Sequence, residues 1–130
     1  MSVHQCVICM GSNHEREANL CFARERLTAL FPNIRFATEE ETEPVRLCCS
    51  SLFSNQVALF SAEVGEGQVR DALKMIEQAA GRCPADTQVG KICLDIDLLR
   101  FDGKVLKPDD WKRAYVAKGL KELNEYPIDI

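Results

Sequence analysis

Hydrophobic and polar positions along the chain alternate with two different periods, and the changes between them mark out the elements. From Val3 to Met10 the residues are apolar almost without break, which predicts a strand buried on both faces and bounded by Gly11-Ser12-Asn13. Asn13, or a residue just after it, is placed to cap a helix. The apolar stripe of that helix is Leu20, Ala23, Leu27 and Leu30, and Pro32 stops it. Ile34 to Ala37 reads as a second strand. Thr38 to Pro44 holds four glutamates and a proline, so it predicts a solvated loop. Residues of β type return over Val45 to Cys49 and again over Phe53 to Val64. In the second run Phe53, Asn55, Val57 and Leu59 share one face, and Ser54, Gln56, Ala58 and Phe60 the other. Gly65 and Gly67 bracket a turn. Val69, Ala72, Leu73, Ile76 and Ala80 then define an amphipathic helix closed by Gly81. A polar loop follows from Arg82 to Gly90, then a strand around Cys93 to Leu99, a turn at Asp102-Gly103 and a final helix over Asp109 to Asn124. The order βαββαβ predicts an α+β, ferredoxin-like sandwich: a mainly antiparallel sheet with helices packed on one face.

Length and composition narrow the function classes. A chain of 130 residues is expected to form a single domain over 1–130, enough for one core. A formal net charge of −4 argues against a nucleic-acid partner, and it means that any nucleotide site must bring metal ions or local cations. No run reaches transmembrane length, and Met-Ser-Val-His-Gln-Cys lacks the layout of a signal peptide, so a cytoplasmic protein without a membrane partner is expected. Seven cysteines, several in apolar runs, suit reduced, buried thiols. In Cys6-Val7-Ile8-Cys9 the two sulfurs of a strand would face opposite sides, and no second pair or nearby histidine completes a zinc set. Cys48-Cys49 reads the same way. The oligomeric state is not legible.

The stretch with candidate chemistry is Cys93-Leu94-Asp95-Ile96-Asp97-Leu98-Leu99. On a strand Asp95 and Asp97 share one face, with Cα atoms roughly 6.5–7 Å apart. From there both carboxylates can reach a pair of hard divalent cations bridged by phosphate oxygens. The same pattern also suits an edge strand with one solvated acidic face.

Taken together, four segments resemble the 6-hydroxymethyl-7,8-dihydropterin pyrophosphokinase (HPPK) family, the folate-pathway enzymes that move the terminal diphosphate of ATP onto a pterin. They are the strand ending in Gly11-Ser12-Asn13, the Phe53-Ser54-Asn55 strand, the helix ending Ile76-Glu77 to Gly81-Arg82, and the run from Leu94 through Asp97 to Phe101 and Gly103. The chain looks like a divergent, short member. The resemblance implies two magnesium ions on Asp95 and Asp97, with ATP as co-substrate. It implies a pterin site built from Gly11, the Thr42-Glu43-Pro44-Val45 loop, Phe53, Asn55 and Tyr115. Phe53 can stack on a flat heterocycle, and the Asn55 amide offers it a donor and an acceptor. Arg82 and Arg113 join the two acids as catalytic residues, and Glu77, Arg82, Lys91 and Lys112 lie on the nucleotide side. Singly, Phe53 also suits a core position, Asn55 a turn contact, Glu77 an exposed helix position and Arg82 a helix C-terminus.

Two departures from the family pattern matter. Val89 and Ile92 stand where the family carries a tryptophan and a catalytic arginine, and Lys91, one place away, is a point charge rather than a fork. Lys107-Pro108-Asp109-Asp110 replaces a histidine-bearing segment before the last helix. A non-catalytic relative that binds pterin or nucleotide, or an interaction domain, is therefore the alternative. The kinase reading requires Asp95 and Asp97 to open on the side that exposes Phe53 and Asn55. Cations from Lys91, Arg82, Arg100, Lys112 or Arg113 should point in from the rim. Acids splayed apart, or buried in pairs with basic residues, would speak against it.

Overall fold

The computed structural model describes residues 3–42, 52–88 and 90–123. In chain order the elements are β1 (His4–Ser12), α1 (Arg16–Leu30), β2 (Arg35–Phe36), β3 (Glu40–Thr42), β4 (Phe53–Ala62), α2 (Glu66–Ala79), α3 (Pro84–Gln88), β5 (Asp95–Phe101), β6 (Lys104–Val105), α4 (Pro108–Trp111) and α5 (Ala114–Glu122). The sheet runs β2-β4-β1-β5-β6, with β3 also on β4, and every pairing among the described residues is antiparallel. Helix α1 carries the chain from β1 across β4 to the edge, and α2 carries it from β4 across β1 to β5. These are the two split crossovers of a ferredoxin-like sandwich.

Alternation along the strands sorts the core into two layers. Cys6, Ile8 and Met10 of β1, with Ala58, Phe60, Ile96 and Leu98, meet Leu20, Ala23 and Leu27 of α1 and Val69, Leu73 and Ile76 of α2. Val7, Cys9, Val57, Leu59 and Leu99 point the other way and are covered by Val116 and Leu120 of α5. The fold class is as predicted, but the helices do not all share one face. Central strands apolar on both sides need a second cover, and the last helix supplies it. At nine residues α5 is too short to be stable alone. Burying a valine and a leucine contributes roughly 1.5–3 kcal/mol each, so docking holds it. Docking is close: a Cβ on Gly119 would lie 2.9 Å from the Val57 Cβ.

Other expectations shift in detail. Leu30 is 52% exposed, and Phe31 takes its place in the core, stacked on Phe60 with centroids 4.1 Å apart. Asn13 caps no helix. Its side-chain amide donates to the Gly90 carbonyl (2.6 Å) and accepts from the Ile92 amide (2.7 Å), tying the end of β1 to the approach of β5. The glutamate-rich stretch, expected to be a loop, contains β3, because Glu40 and Glu41 find Lys118 and Arg16 outside the sheet while the backbone pairs with β4. The 82–90 loop contains the short helix α3. The final helix is broken at Lys112-Arg113, since α4 packs on β5 and α5 on β4, which one straight rod does not reach together. Cys6 and Cys9 are buried on opposite faces, whereas Cys21 is exposed; these three, Cys83 and Cys93 are free thiols. The strand expected over 45–49, Pro44, Val45, Cys48, Cys49, Val89 and Asn124 lie outside the described residues. Among the described residues no helix is long and apolar enough to cross a membrane.

Candidate functional site

Register brings the candidate residues together at one end of the sheet. Glu40, Asn55, Gly11 and Asp95 form one cross-strand row, and Val57, Cys9 and Asp97 form the next but one. Paired residues share a face, so Phe53, Asn55, Gly11, Asp95 and Asp97 all project on the α5 side. Strands are spaced about 4.8 Å apart, which sets the Asn55 and Asp95 backbones about 10 Å from each other. Asn55 is buried, and its side-chain amide nitrogen donates to the Thr42 hydroxyl. Phe53 is half-buried beside it. Gly11 makes this arrangement possible: a Cβ there would meet the Asn55 Oδ1 at 2.9 Å and the Phe53 ring at 3.7 Å.

The acid pair is engaged but not sealed. Side-chain exposure is 36% for Asp95 and 30% for Asp97. The two carboxyls are hydrogen-bonded to each other, and Asp97 is pushed up to about 7, first by burial, then by the charge of Asp95 and that hydrogen bond; Lys107 opposes the rise and Asp110 adds to it. Asp95 Oδ1 accepts from Arg82 Nη1 at 2.6 Å, and Lys107 Nζ lies 3.5 Å from Asp97 Oδ1. Burial works against the charge of Arg82, yet the carboxylates of Asp95, Glu77 and Asp97 together hold its pKa above the ordinary value. Glu77 reaches over from α2. Its Oε2 accepts from the Ile96 amide at 2.6 Å and lies 3.3 Å from Arg82 Nη1. Burial raises its pKa, the Ile96 hydrogen bond lowers it, Asp95 raises it and Arg82 lowers it, with a net rise.

This donor set fits a divalent cation. A carboxyl held near neutrality by a neighbouring carboxylate marks a place short of positive charge, and both groups offer hard oxygens. No cluster of three or more histidine, cysteine or acidic ligands occurs among the described residues. That suits magnesium held by one or two carboxylates and completed by substrate phosphates better than an all-protein cage.

The rim differs from expectation. Arg82 points in as expected, and Lys107 joins it. Arg113 pairs with Asp110 through Nε at 3.0 Å, one step behind Asp97. Lys91 lies 3.8 Å from Asp86 on α3, and Lys112 is exposed at the α4–α5 break. Arg100 sits over the Trp111 ring at 5.9 Å, because a bulge at Leu99 pairs Arg100 with Val7 and turns it to the α5 side. Tyr115 is half-buried, its hydroxyl hydrogen-bonded to the thiol of Cys9, the cross-strand neighbour of Asp97. Burial is the main cause that lifts Cys9 to about 12 and Tyr115 above its ordinary value. Lys107 and Asp110 were not singled out from the sequence. The signal was the charged Lys107-Pro108-Asp109-Asp110 segment, but only the β5–β6 hairpin folds it back onto Asp97.

The family model described as 7,8-dihydro-6-hydroxymethylpterin-pyrophosphokinase (HPPK) matches residues 7–125. A search of curated proteins found no match.

Proposed function

The chain belongs to the 7,8-dihydro-6-hydroxymethylpterin-pyrophosphokinase family, and from that premise we propose that it transfers diphosphate from ATP to 6-hydroxymethyl-7,8-dihydropterin. The hydroxymethyl oxygen attacks the β-phosphorus, the bond from that phosphorus to the α–β bridging oxygen breaks, AMP leaves and the hydroxyl proton passes to solvent. Such a transfer asks the protein for in-line positioning and charge neutralisation rather than covalent chemistry.

Asp95 and Asp97 would hold two magnesium ions. When bound, these neutralise phosphate charge and favour the ionised form of the attacking hydroxyl. The protein's own residues do the rest. Asn55, held by Thr42 over Gly11, presents polar atoms to the edge of a flat ring, and Phe53 and Tyr115 offer faces for stacking. Pro44 and Val45 complete the pterin side in this reading. Arg82, Lys107 and Arg113 bring positive charge to the phosphates, with Lys91 and Lys112 on the nucleotide side. Arg82 and Lys107 already neighbour the acids, so they would exchange a carboxylate partner for phosphate oxygens as ATP arrives.

The observation that carries this reading is the cross-strand register aligning Asn55, Gly11 and Asp95 on one face. One observation favours a second reading, a relative that binds without transferring: the position of the family's loop arginine is Ile92, whose amide is held by Asn13. An assay for AMP separates them. The transferase forms AMP from ATP only when the hydroxymethyl-dihydropterin and magnesium are both present, and Asp95→Ala or Asp97→Ala abolishes this without unfolding the protein. Pterin binding without AMP supports the binding-only relative, and binding of neither ligand sinks both.

A further inference from the structure

We propose that Glu77 is a positioning residue for the acid pair rather than a contact to nucleotide: its carboxylate closes the open edge of β5 between Asp95 and Asp97. The inference rests on the transfer reading, since it names what aligns that reading's two acids. Among the described residues β6 pairs with β5 only at Arg100 and Phe101, so no strand lies beyond Asp95, Ile96 and Asp97 on the side away from β1. Amides along an antiparallel strand point alternately to either side. Ile96 stands between the two acids, and its amide is directed outward, where it would be left to water and the edge free to fray.

Glu77 meets it there. The same Oε2 that accepts the Ile96 amide at 2.6 Å lies 3.3 Å from Arg82 Nη1, and that nitrogen donates to Asp95 Oδ1 at 2.6 Å. The contacts close a circuit through backbone and side chains: Glu77 to Ile96, along the chain to Asp95, across to Arg82 and back to Glu77. With only 13% of its side chain exposed, Glu77 is turned inward to this circuit. It fixes the main chain from which both acids hang, and it holds Arg82 against the nearer one. Groups that orient first ligands commonly govern affinity by roughly 10–100-fold.

The test uses the full chain with Mn(II)-ATP as probe, no pterin present, and electron paramagnetic resonance to count bound manganese. Binding by the wild type and its loss in Asp97→Ala are required by the transfer reading; failure of either removes that reading whatever Glu77 does. Given both, Glu77→Ala should weaken Mn(II)-ATP about tenfold or more. It should also speed hydrogen exchange at the Ile96 amide and leave pterin affinity unchanged. Glu77→Gln keeps a carbonyl for that amide and should restore Mn(II)-ATP affinity, a rescue that loss of a charged nucleotide contact would not show. Wild-type affinity in Glu77→Ala, or Glu77→Gln as weak as Glu77→Ala, overturns the proposal. Should Glu77→Ala not fold, the Ile96 amide of the wild type decides together with Glu77→Gln: exchange as fast as at an exposed edge overturns it.

Discussion

Gly11→Ala separates folding from pterin recognition at a single atom. The new Cβ would stand 2.9 Å from Asn55 Oδ1, whereas ordinary van der Waals contact begins near 3.4 Å, so the amide must retreat by about half an ångström. The atom in the way is the far end of a side chain, and Phe53, at 3.7 Å, need not move. Folding should barely register the change. Alanine in a strand gains about 0.5–1 kcal/mol over glycine. Loss of the Asn55–Thr42 hydrogen bond removes about as much, roughly 1 kcal/mol, leaving a net near zero. Binding should register it strongly. Two hydrogen bonds from a displaced Asn55 to a pterin edge are worth together roughly 1.5–3 kcal/mol, or about 10–100-fold in Kd. Urea unfolding at constant m-value gives the first quantity and calorimetric titration with the hydroxymethyl-dihydropterin the second, with Mn(II)-ATP binding as the unchanged control. An unaltered pterin affinity would refute the placement of the ring over Gly11 and Asn55. A stability loss above about 3 kcal/mol would show instead that Gly11 is needed by the core.

Asp97→Asn is expected to stabilise the metal-free protein at pH 8 while removing activity. Asp97 rises from 3.8 to about 7, so its proton favours the folded state below 3.8 and that contribution is lost as pH climbs through 7. At about 1.4 kcal/mol per unit this is roughly 4 kcal/mol at most, cut to on the order of 2 by solvent at the exposed part of the carboxyl. Urea unfolding in chelator should show the variant gaining on wild type between pH 5 and pH 8; a pH-independent difference sinks it. Gly119→Ala should destabilise by about 1–2 kcal/mol, as crowding against Val57 at 2.9 Å outweighs the better helix propensity of alanine. It should also weaken pterin binding by shifting Tyr115, and a more stable variant in the same unfolding assay would contradict the close docking of α5. Lys107→Met should slow diphosphate transfer without changing pterin affinity. Equal AMP-release rates would remove Lys107 from the phosphate side.

Whatever follows from the pleat of a strand or the pitch of a helix was legible in advance. Phe53, Asn55, Val57 and Leu59 share a face, Asp95 and Asp97 project together, Cys6 and Cys9 point apart, and Val69, Leu73 and Ile76 meet the core. These placements depend on residues two to four apart in the chain, where covalent geometry alone decides orientation. The face carrying α5 was within reach too, since Val7, Cys9, Val57, Leu59 and Leu99 are apolar and needed a cover; the usual βαββαβ layering hid that signal.

Partners far apart in the chain were not legible. Asn13 was read as a cap and binds residues 77 and 79 positions away. Lys107 reaches Asp97 only because β5 and β6 form a hairpin, and Arg100 faces Trp111 only because of the bulge at Leu99. The short sequence of each strand thus determined which side chains stand on the candidate surface. Which cations, amides and carboxylates they meet there was decided by the docking of strands and helices from opposite ends of the chain, because ion pairs and hydrogen bonds depend on angstrom-scale distances that no local pattern carries.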